Sequence, residues 1–232
     1  TNVSKLGPKL KITNKMDFVG NVLGANRIEA LSEKYYELHI NNQDYLTDSI
    51  ETVETVFNVK GVIKPSKEDI NYITLGRLSP EKNHVLLINS FKKVLEKQSN
   101  SRLYIVGEGA QRGKLTNLVK DLGIEKKVIF TGHMDNPFYL LKQCDVFVLT
   151  SLYEGQALVI LEALAVGLKV ISTDIPGPDN ILKQGYGELV EATEIGLSRK
   201  MISIAKSNVK YKKFDPYVYD ADTKKRFMSI IN

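Results

Sequence analysis

The amino-acid sequence predicts an α/β fold, a doubly wound parallel sheet that follows a short N-terminal segment. The first observation is an alternation that begins at Asn71: short apolar runs rich in β-branched residues are separated by amphipathic stretches, at intervals of roughly 20 to 30 residues. The second observation is that a turn follows each apolar run. Such alternation builds right-handed βαβ units, which place helices on both faces of a parallel sheet.

The apolar runs predict the strands, and the amphipathic stretches predict the helices between them. In residues 84–97 and 114–122 the apolar side chains recur on one stripe of a helix. Ligands of such folds bind at the carboxyl ends of the strands, so the residues after each run form the candidate site. The predicted strands span residues 72–75, 103–106, 128–130, 146–149, 170–172 and, with a weaker pattern, 188–190.

Chain length predicts one large domain with appendages, because 232 residues exceed one typical domain and fall short of two. We assign residues 1–70 to an N-terminal segment and residues 71–232 to the sheet domain with its C-terminal tail. The tail, residues 195–232, is basic and is expected to be helical with a break at residues 214–216. It is either a solvated pair of surface helices or a clasp against a part of the molecule that this sequence lacks.

Composition excludes several classes of protein. Hydrophobic residues make up 43% and charged residues 25% of the chain, and no apolar run approaches the ~20 residues of a membrane span. The net charge of +5 is spread along the chain. This mild basic excess favours nucleotide phosphates or an anionic membrane surface as partners, and it does not favour nucleic acid.

Cysteine and histidine usage predicts neither a disulfide nor a metal site. The single cysteine, Cys144, excludes an intramolecular disulfide and a thiolate cluster, and its apolar setting predicts a buried residue at the start of a strand. No His-Glu-x-x-His, Asp-x-Asp or Cys-x-x-Cys pattern occurs, so no protein-held metal is expected. The lack of a signal peptide points to the cytosol, and the start at Thr1 indicates a piece of a longer protein.

The segment after the first predicted strand combines a glycine with two cations. Gly76 lets the backbone approach a ligand, and Arg77 and Lys82 follow within the turn that leads into a helix. A guanidinium fork, a point charge and free N–H groups at a helix start together make a diphosphate site. The alternative is a solvated loop with Asn83 as the helix cap.

The segments after the second and third strands carry further glycines. Gly107-x-Gly109 begins like a dinucleotide fingerprint, but Arg112 replaces the third glycine. This segment is either a tight turn near a phosphate or a turn and nothing more. After the third strand, Gly132 precedes His133, which either contacts a base or sugar or is an ordinary surface histidine.

The segment after the fourth strand leads into an apolar run that contains one carboxylate, Glu162. An ionised group in a buried helix costs several kcal/mol, as an order of magnitude, unless it is paired or hydrogen-bonded. The nearest following cation, Lys169, lies beyond Gly167, where the helix should end. Glu162 therefore indicates a polar ligand, and the alternative is a salt bridge to a distant Lys or Arg.

A second carboxylate, Glu154, stands in the loop before this helix. We expect Gly155 to Leu158 to start the helix, so that the free N–H groups of Gln156, Ala157 and Leu158 point towards the crevice and can hold a phosphate. A carboxylate accepts hydrogen bonds from two sugar hydroxyls at once, so Glu154 and Glu162 suit a hydroxyl-rich ligand.

Taken together, these motifs resemble the C-terminal donor-binding domain of a retaining glycosyltransferase of family 4, which has the GT-B fold with Rossmann-like domains. The resemblance covers residues 71–232, including the tail at 214–216. Order and spacing carry it, since no single motif is specific. The motifs are Gly76-Arg77 followed by Lys82-Asn83, Val106-Gly107-Glu108-Gly109, Phe130-Thr131-Gly132, Cys144-Asp145-Val146-Phe147-Val148, and Glu154 with Glu162 after seven intervening residues.

The resemblance implies a role for each site residue. Arg77 and Lys82 would bind the donor diphosphate and stabilise the leaving nucleotide, and Glu154 would lie beside the transferred sugar. Backbone amides near Ala157 and Leu158 would hold phosphate. Glu162 would bind the ribose hydroxyls. The same resemblance completes the expected donor-contacting set with Gly76, Gly107, Gly132, His133, Gly155 and Gln156.

The implied activity is transfer of a hexose from a nucleotide-diphosphate sugar, UDP-linked, with retention of configuration. The donor phosphate would assist a same-face displacement without a divalent metal or other cofactor. The Gly-Gln pair after Glu154 is similar to the pair at this position in enzymes that glycosylate bacterial cell-surface polymers. This implies a glycan, polyol-phosphate or lipid-linked acceptor, and a cytoplasmic enzyme that associates peripherally with the inner face of the plasma membrane.

Three departures from the family pattern stand beside this resemblance. Gln156 replaces a residue that is commonly aromatic, and Lys169 replaces a common proline. Residues 1–70 are too few for the acceptor domain, so they are expected to be a remnant of the interdomain linker, and the chain alone should turn over poorly. The remaining alternatives are a non-catalytic nucleotide- or glycan-binding module and a nicotinamide-dependent dehydrogenase, which the incomplete glycine fingerprint disfavours.

Overall fold

The computed structural model of this chain describes residues 65–134, 136–155, 157–216, 218 and 219. Most of these residues belong to one compact unit, Ile63–Phe214. The predictions for residues 1–64 and for the end of the tail lie outside the described residues, as does the prediction for Gln156.

The described residues contain one parallel sheet of six strands. The strand order is β3-β2-β1-β4-β5-β6, so the chain first builds one half of the sheet and then returns to β1 to build the other. This is the predicted doubly wound α/β fold. The strands are β1 (Ile70–Leu75), β2 (Ser101–Val106), β3 (Val128–Gly132), β4 (Val146–Leu149), β5 (Lys169–Thr173) and β6 (Glu188–Val190).

Each predicted strand lies within an observed one, because the central strands are buried on both faces and therefore read as continuous apolar runs. Val146, Phe147 and Val148 of β4 are fully buried, for example. Cys144, which precedes β4, is buried as expected. The core continues into the helices, where Phe91 and Leu115 are also fully buried.

The helices described alongside these strands are α1 (His84–Leu95), α2 (Arg112–Asp121), α3 (Phe138–Leu141), α4 (Leu158–Ala165), α5 (Pro178–Ile181) and α6 (Glu194–Lys206). The helix patterns of residues 84–97 and 114–122 correspond to α1 and α2. None of the described helices is both long and apolar enough to cross a bilayer.

The predicted helical tail is wrong in one respect, because its helix ends earlier than residues 214–216. Helix α6 is capped by Thr193, whose side chain accepts a hydrogen bond from the Gly196 N–H (3.1 Å), and it ends at Lys206. Ser207 then adopts an extended conformation. The following segment is tied to another part of the fold, since the Lys212 N–H donates to the Gly185 carbonyl (2.9 Å). A tertiary hydrogen bond therefore replaces the local helical bonds that the pattern predicted.

Candidate functional site

The strand order reverses between β1 and β4, and this reversal creates a crevice at the carboxyl ends of these two adjacent strands. Two loops face each other there. We call residues 76–83 the β1 loop and residues 150–157 the β4 loop. The residues predicted to be catalytic all lie in these two loops.

Hydrogen bonds join the β1 loop to the β4 loop. The Thr150 hydroxyl, which is 1% exposed, donates to the carbonyls of Lys82 (3.0 Å) and Asn83 (3.2 Å). The Leu152 N–H donates to the Glu81 carbonyl (2.8 Å). Because these bonds are made to backbone carbonyls, the backbones of the two loops are held next to each other.

The structure brings together Lys82 and Glu154, two of the three residues predicted to be catalytic. Lys82 Nζ lies 2.5 Å from Glu154 Oε1, and the two side chains are 22% and 11% exposed. The Ser151 hydroxyl donates to the same Oε1 atom at 2.6 Å. A charged pair with this limited exposure is screened less than a surface pair. The crevice therefore holds a cation and a carboxylate in direct contact.

Arg77, the third of these residues, is an exposed residue of the β1 loop. Its charge contributes to an electrostatic effect on Glu81, whose pKa is lowered mainly by the Ser79 hydroxyl (2.5 Å) and further by Arg77 and Lys82. Among the described residues, no carboxylate forms an ion pair with Arg77. The β1 loop thus presents one cation to solvent and a second one to the β4 loop.

The helix behind the β1 loop begins with a buried histidine. His84 is 1% exposed, and burial together with the nearby Lys82 charge lowers its pKa from 6.5 to about 4. His84 is therefore neutral at pH 7. Asn83 is the N-cap residue of α1, as the alternative predicted, but it adopts a left-handed conformation (φ 47°) and its side chain makes no capping bond.

The Gly107-x-Gly109 segment after β2 supports the β1 loop. A Cβ atom on Gly107 would lie 2.0 Å from the Gly76 carbonyl oxygen, and one on Gly109 would lie 2.5 Å from the Leu78 carbonyl oxygen. The Leu78 N–H donates to the Glu108 carbonyl (2.9 Å). Both glycines are thus explained by a close backbone contact. This agrees with the alternative of a structural turn, and ligand contact by Gly107 stays a prediction.

The end of β3 is packed against the same segment. The Gly107 N–H donates to the Gly132 carbonyl (2.8 Å), and Gly132 adopts a positive φ of 78°. The exposed His133 follows it. Arg112, which occupies the place of the third glycine, lies with its guanidinium 4.7 Å from the centre of the Phe130 ring. Arg112 therefore packs on the protein surface, as an arginine stem and fork often do.

Helix α4 begins later than predicted. Its first residue is Leu158 and Ala157 is the N-cap residue, so Gly155 belongs to the loop. The N–H groups of the first turn of a helix have no intrahelical acceptor. Glu162 lies in the next turn and is 2% exposed. Glu154 thus lies in the β4 loop, and Glu162 lies in the helix that follows this loop.

Sequence reasoning missed two residues that position Glu154. The Ser151 hydroxyl binds the Glu154 carboxylate, and the Ser151 carbonyl accepts a hydrogen bond from the Thr173 hydroxyl (2.9 Å). Gly177 in the loop after β5 lies so close to the β4 loop that a Cβ atom there would be 2.9 Å from the carbonyl oxygens of Glu154 and Gly155. The local signal for Ser151 is a polar residue just after an apolar strand, and the local signal for Gly177 is a glycine in the turn between β5 and α5.

A doubly wound sheet with such a crevice defines an α/β ligand-binding domain, and comparison with known proteins identifies its family. Residues 58–221 match the family described as Glycosyl transferases group 1. The chain belongs to this family.

Two curated relatives and one solved structure show how the chain compares with whole proteins. An uncharacterized glycosyltransferase of Methanocaldococcus jannaschii is 34% identical over 172 residues, which are 74% of this chain and 37% of that protein. The poly(ribitol-phosphate) alpha-N-acetylglucosaminyltransferase of Staphylococcus aureus is 28% identical over 168 residues, which are 68% of this chain and 34% of that protein. The chain thus spans about a third of the length of these relatives.

A crystal structure of a mutant of S. aureus TarM, in complex with Fondaparinux, alpha-GlcNAc-glycerol and UDP, has a similar fold. Its TM-score is 0.59 at 23% identity, and the match covers 74% of this chain and 34% of that chain. At this level of identity the likeness concerns the fold.

Proposed function

We propose that this chain is the donor-binding portion of a retaining hexosyltransferase of the GT-B type, family 4, and that its donor is a UDP-linked hexose. The observation that carries the proposal is the contact between Lys82 Nζ and Glu154 Oε1 (2.5 Å) at the point where the strand order reverses. A cation for a diphosphate and a carboxylate for a sugar stand side by side there.

The leaving diphosphate is the group that this crevice would stabilise. Arg77 offers an exposed guanidinium fork, and Lys82 adds a point charge from the same loop. The backbone N–H groups near Ala157 and Leu158 at the start of α4 favour a phosphate as well. Charges placed where negative charge develops in the transition state are the largest single source of rate in many enzymes. With these cations to stabilise the leaving diphosphate, the reaction would need no divalent metal.

The two carboxylates would bind the two sugars of the donor. Glu154 would lie beside the transferred hexose, and Glu162 would accept hydrogen bonds from the ribose hydroxyls. The bond between the anomeric carbon and the nucleotide diphosphate would break while the acceptor hydroxyl bonds to the same face of the ring and passes its proton to the leaving phosphate, so the anomeric configuration would be retained. Contacts from Gly76, Gly107, Gly132, His133 and Gly155 would complete the donor site.

The related proteins support the choice of donor and acceptor. The TarM complex contains UDP, and the S. aureus relative is a poly(ribitol-phosphate) alpha-N-acetylglucosaminyltransferase. We therefore infer a glycan, polyol-phosphate or lipid-linked acceptor in bacterial cell-surface polymer synthesis. The enzyme would act in the cytoplasm and bind peripherally to the inner face of the plasma membrane. Residues 1–70 would be a linker remnant, and an acceptor domain would be needed for efficient turnover.

Isothermal titration calorimetry with UDP, GDP, ADP and CDP tests this proposal. UDP should bind, and EDTA should leave its affinity unchanged. Lys82→Ala should weaken UDP binding by about 10- to 100-fold, which corresponds to the loss of one or two charge-assisted contacts. Glu162→Ala should weaken binding as well. If none of the four nucleotides binds at millimolar concentration, the proposal is wrong.

A further inference from the structure

We propose that the Lys82–Glu154 ion pair closes the nucleotide-free site, and that Lys82 exchanges this carboxylate for the donor diphosphate when a nucleotide binds. This inference rests on the proposed function. Lys82 Nζ contacts Glu154 Oε1 directly, at 2.5 Å. An ammonium group paired in this way presents little net charge to a phosphate, so the carboxylate and the diphosphate compete for the same cation.

The partner that moves in this exchange is Lys82. Its side chain lies across Gly76, and a Cβ atom built there would be 3.6 Å from Lys82 Cε, which is ordinary contact distance. Because residue 76 is a glycine, it has no side chain that would pack against the lysine methylene groups. A lysine ammonium at the end of four methylene groups reorients by rotation about its terminal bonds, with no change in the backbone.

The partner that stays in place is Glu154. Its Oε1 atom also accepts a hydrogen bond from the Ser151 hydroxyl (2.6 Å), and Ser151 is in turn held by the Thr173 hydroxyl (2.9 Å). The Glu154 backbone packs closely against Gly177, where a Cβ atom would lie 2.9 Å from the Glu154 carbonyl oxygen. After Lys82 leaves, Ser151 keeps the carboxylate oriented, so Ser151 acts as a positioning residue.

The exchange gives the two cations of the β1 loop different tasks. Arg77 is exposed and, among the described residues, has no carboxylate in ion-pair contact, so its charge is available when a nucleotide first approaches. Lys82 is released only in return for a phosphate. The Glu154 carboxylate is consequently uncovered towards the sugar only when a diphosphate is bound, which links the presence of a donor to the state of the carboxylate.

A double-mutant cycle in UDP affinity, measured by calorimetry on this chain, tests the exchange. Glu154→Gln removes the competing charge with little change of shape, so it should tighten UDP binding by about 3- to 10-fold, the range of one partly screened ion pair. In the Lys82→Ala background the same substitution should change the affinity less than about twofold, because no cation is left to release. Glu81→Gln is the matched control, because it also removes one negative charge, in this case from the β1 loop. The Glu81 carboxylate is bonded to the Ser79 hydroxyl and not to Lys82, so this substitution should change UDP affinity by less than about twofold.

If wild-type protein binds UDP, three results would overturn the exchange. They are no tightening by Glu154→Gln, equal tightening in the Lys82→Ala background, and equal tightening by Glu81→Gln. The last two would show general repulsion of the phosphate by negative charge. If wild-type protein binds no nucleotide, the proposed function fails and the exchange fails with it.

Discussion

The β1 loop and the segment after β2 look alike in sequence, and the structure gives them different tasks. Each follows a parallel strand, begins with a glycine and leads into a helix. The β1 loop carries Lys82, whose side chain reaches the β4 loop. The segment after β2 meets the β1 loop through backbone, since Gly107 lies against the Gly76 carbonyl. A glycine-rich turn at a strand end can therefore be a support for a binding loop as well as a binding loop itself.

Strand position explains the difference. Strand β1 lies between β2 and β4, where the strand order reverses, so its loop faces the β4 loop on one side. Strand β2 lies between β3 and β1, so the segment after it has a neighbouring segment on each side. The Gly76 carbonyl packs closely against Gly107, and the Gly107 N–H donates to the Gly132 carbonyl. The same kind of turn carries an interacting side chain in one place, where Lys82 reaches Glu154, and contacts its neighbours through backbone in the other.

The largest effect is expected from Gly107→Ala, which tests the supporting role directly. The new Cβ atom would lie 2.0 Å from the Gly76 carbonyl oxygen, at a φ of 136° that disfavours alanine. We expect a loss of about 2–4 kcal/mol in the free energy of unfolding, measured by urea denaturation. The control is Gly113→Ala in α2, where nothing lies within 4 Å and stability should rise by up to about 1 kcal/mol. Equal effects at the two positions would contradict the supporting role.

A pH effect is expected behind the β1 loop, at His84. Its pKa of about 4 in the folded protein lies below the ordinary value of 6.5, so between these values the unfolded chain binds more protons. Stability should therefore rise with pH across this window and fall on acidification, by up to about 3 kcal/mol in total.

Urea denaturation of His84→Gln at pH 4.5 and pH 7 measures this contribution. The substitution should remove most of the histidine-dependent rise in stability between the two pH values. The exposed His133 offers the control, because His133→Gln should keep the wild-type rise. If both variants behave alike, burial of His84 is not the cause.

A smaller loss is expected when the bond between the two crevice loops is removed. Thr150→Val keeps the size of the buried side chain and deletes the donor to the Lys82 and Asn83 carbonyls, which should cost about 1–2 kcal/mol of unfolding free energy. The matched substitution is Thr116→Val in α2, whose hydroxyl bonds only to the Arg112 carbonyl within its own helix. Its effect should stay below about 0.5 kcal/mol. A similar loss in both variants would mean that Thr150 does not join the loops in solution.

The smallest effect is expected for Glu108→Gln, in the segment after β2. Glu108 forms an ion pair with Arg112 (3.0 Å), and the two side chains are 52% and 37% exposed. An exposed pair of this kind contributes at most about 0.5 kcal/mol to stability, and UDP affinity should be unchanged. If Glu108→Gln weakened UDP binding as much as Lys82→Ala does, a charged side chain of the segment after β2 would bind the ligand, and the contrast with the side-chain role of the β1 loop would be wrong.

The strands and the larger helices could be predicted from the sequence because their signals are local. Strand β4 is an unbroken apolar run, and α1 repeats its apolar residues at helical spacing. The start of α4 and the end of α6 could not be predicted, since both depend on contacts outside the element. The α6 prediction failed because Lys212 is bonded to Gly185, a residue that its own sequence neighbourhood does not reveal.

The candidate site divides in the same way. Sequence by itself determined that cations follow β1 and that carboxylates follow β4, because residue type and the apolar pattern of a strand are both local properties of the sequence. Only the tertiary structure decided that Lys82 and Glu154, 72 positions apart, form one ion pair. It also decided that Ser151 holds that carboxylate and that Gly107 is a glycine because of the Gly76 carbonyl. The physical reason is that hydrogen bonds and steric limits act between neighbours in space, whereas propensity and periodicity act between neighbours in sequence.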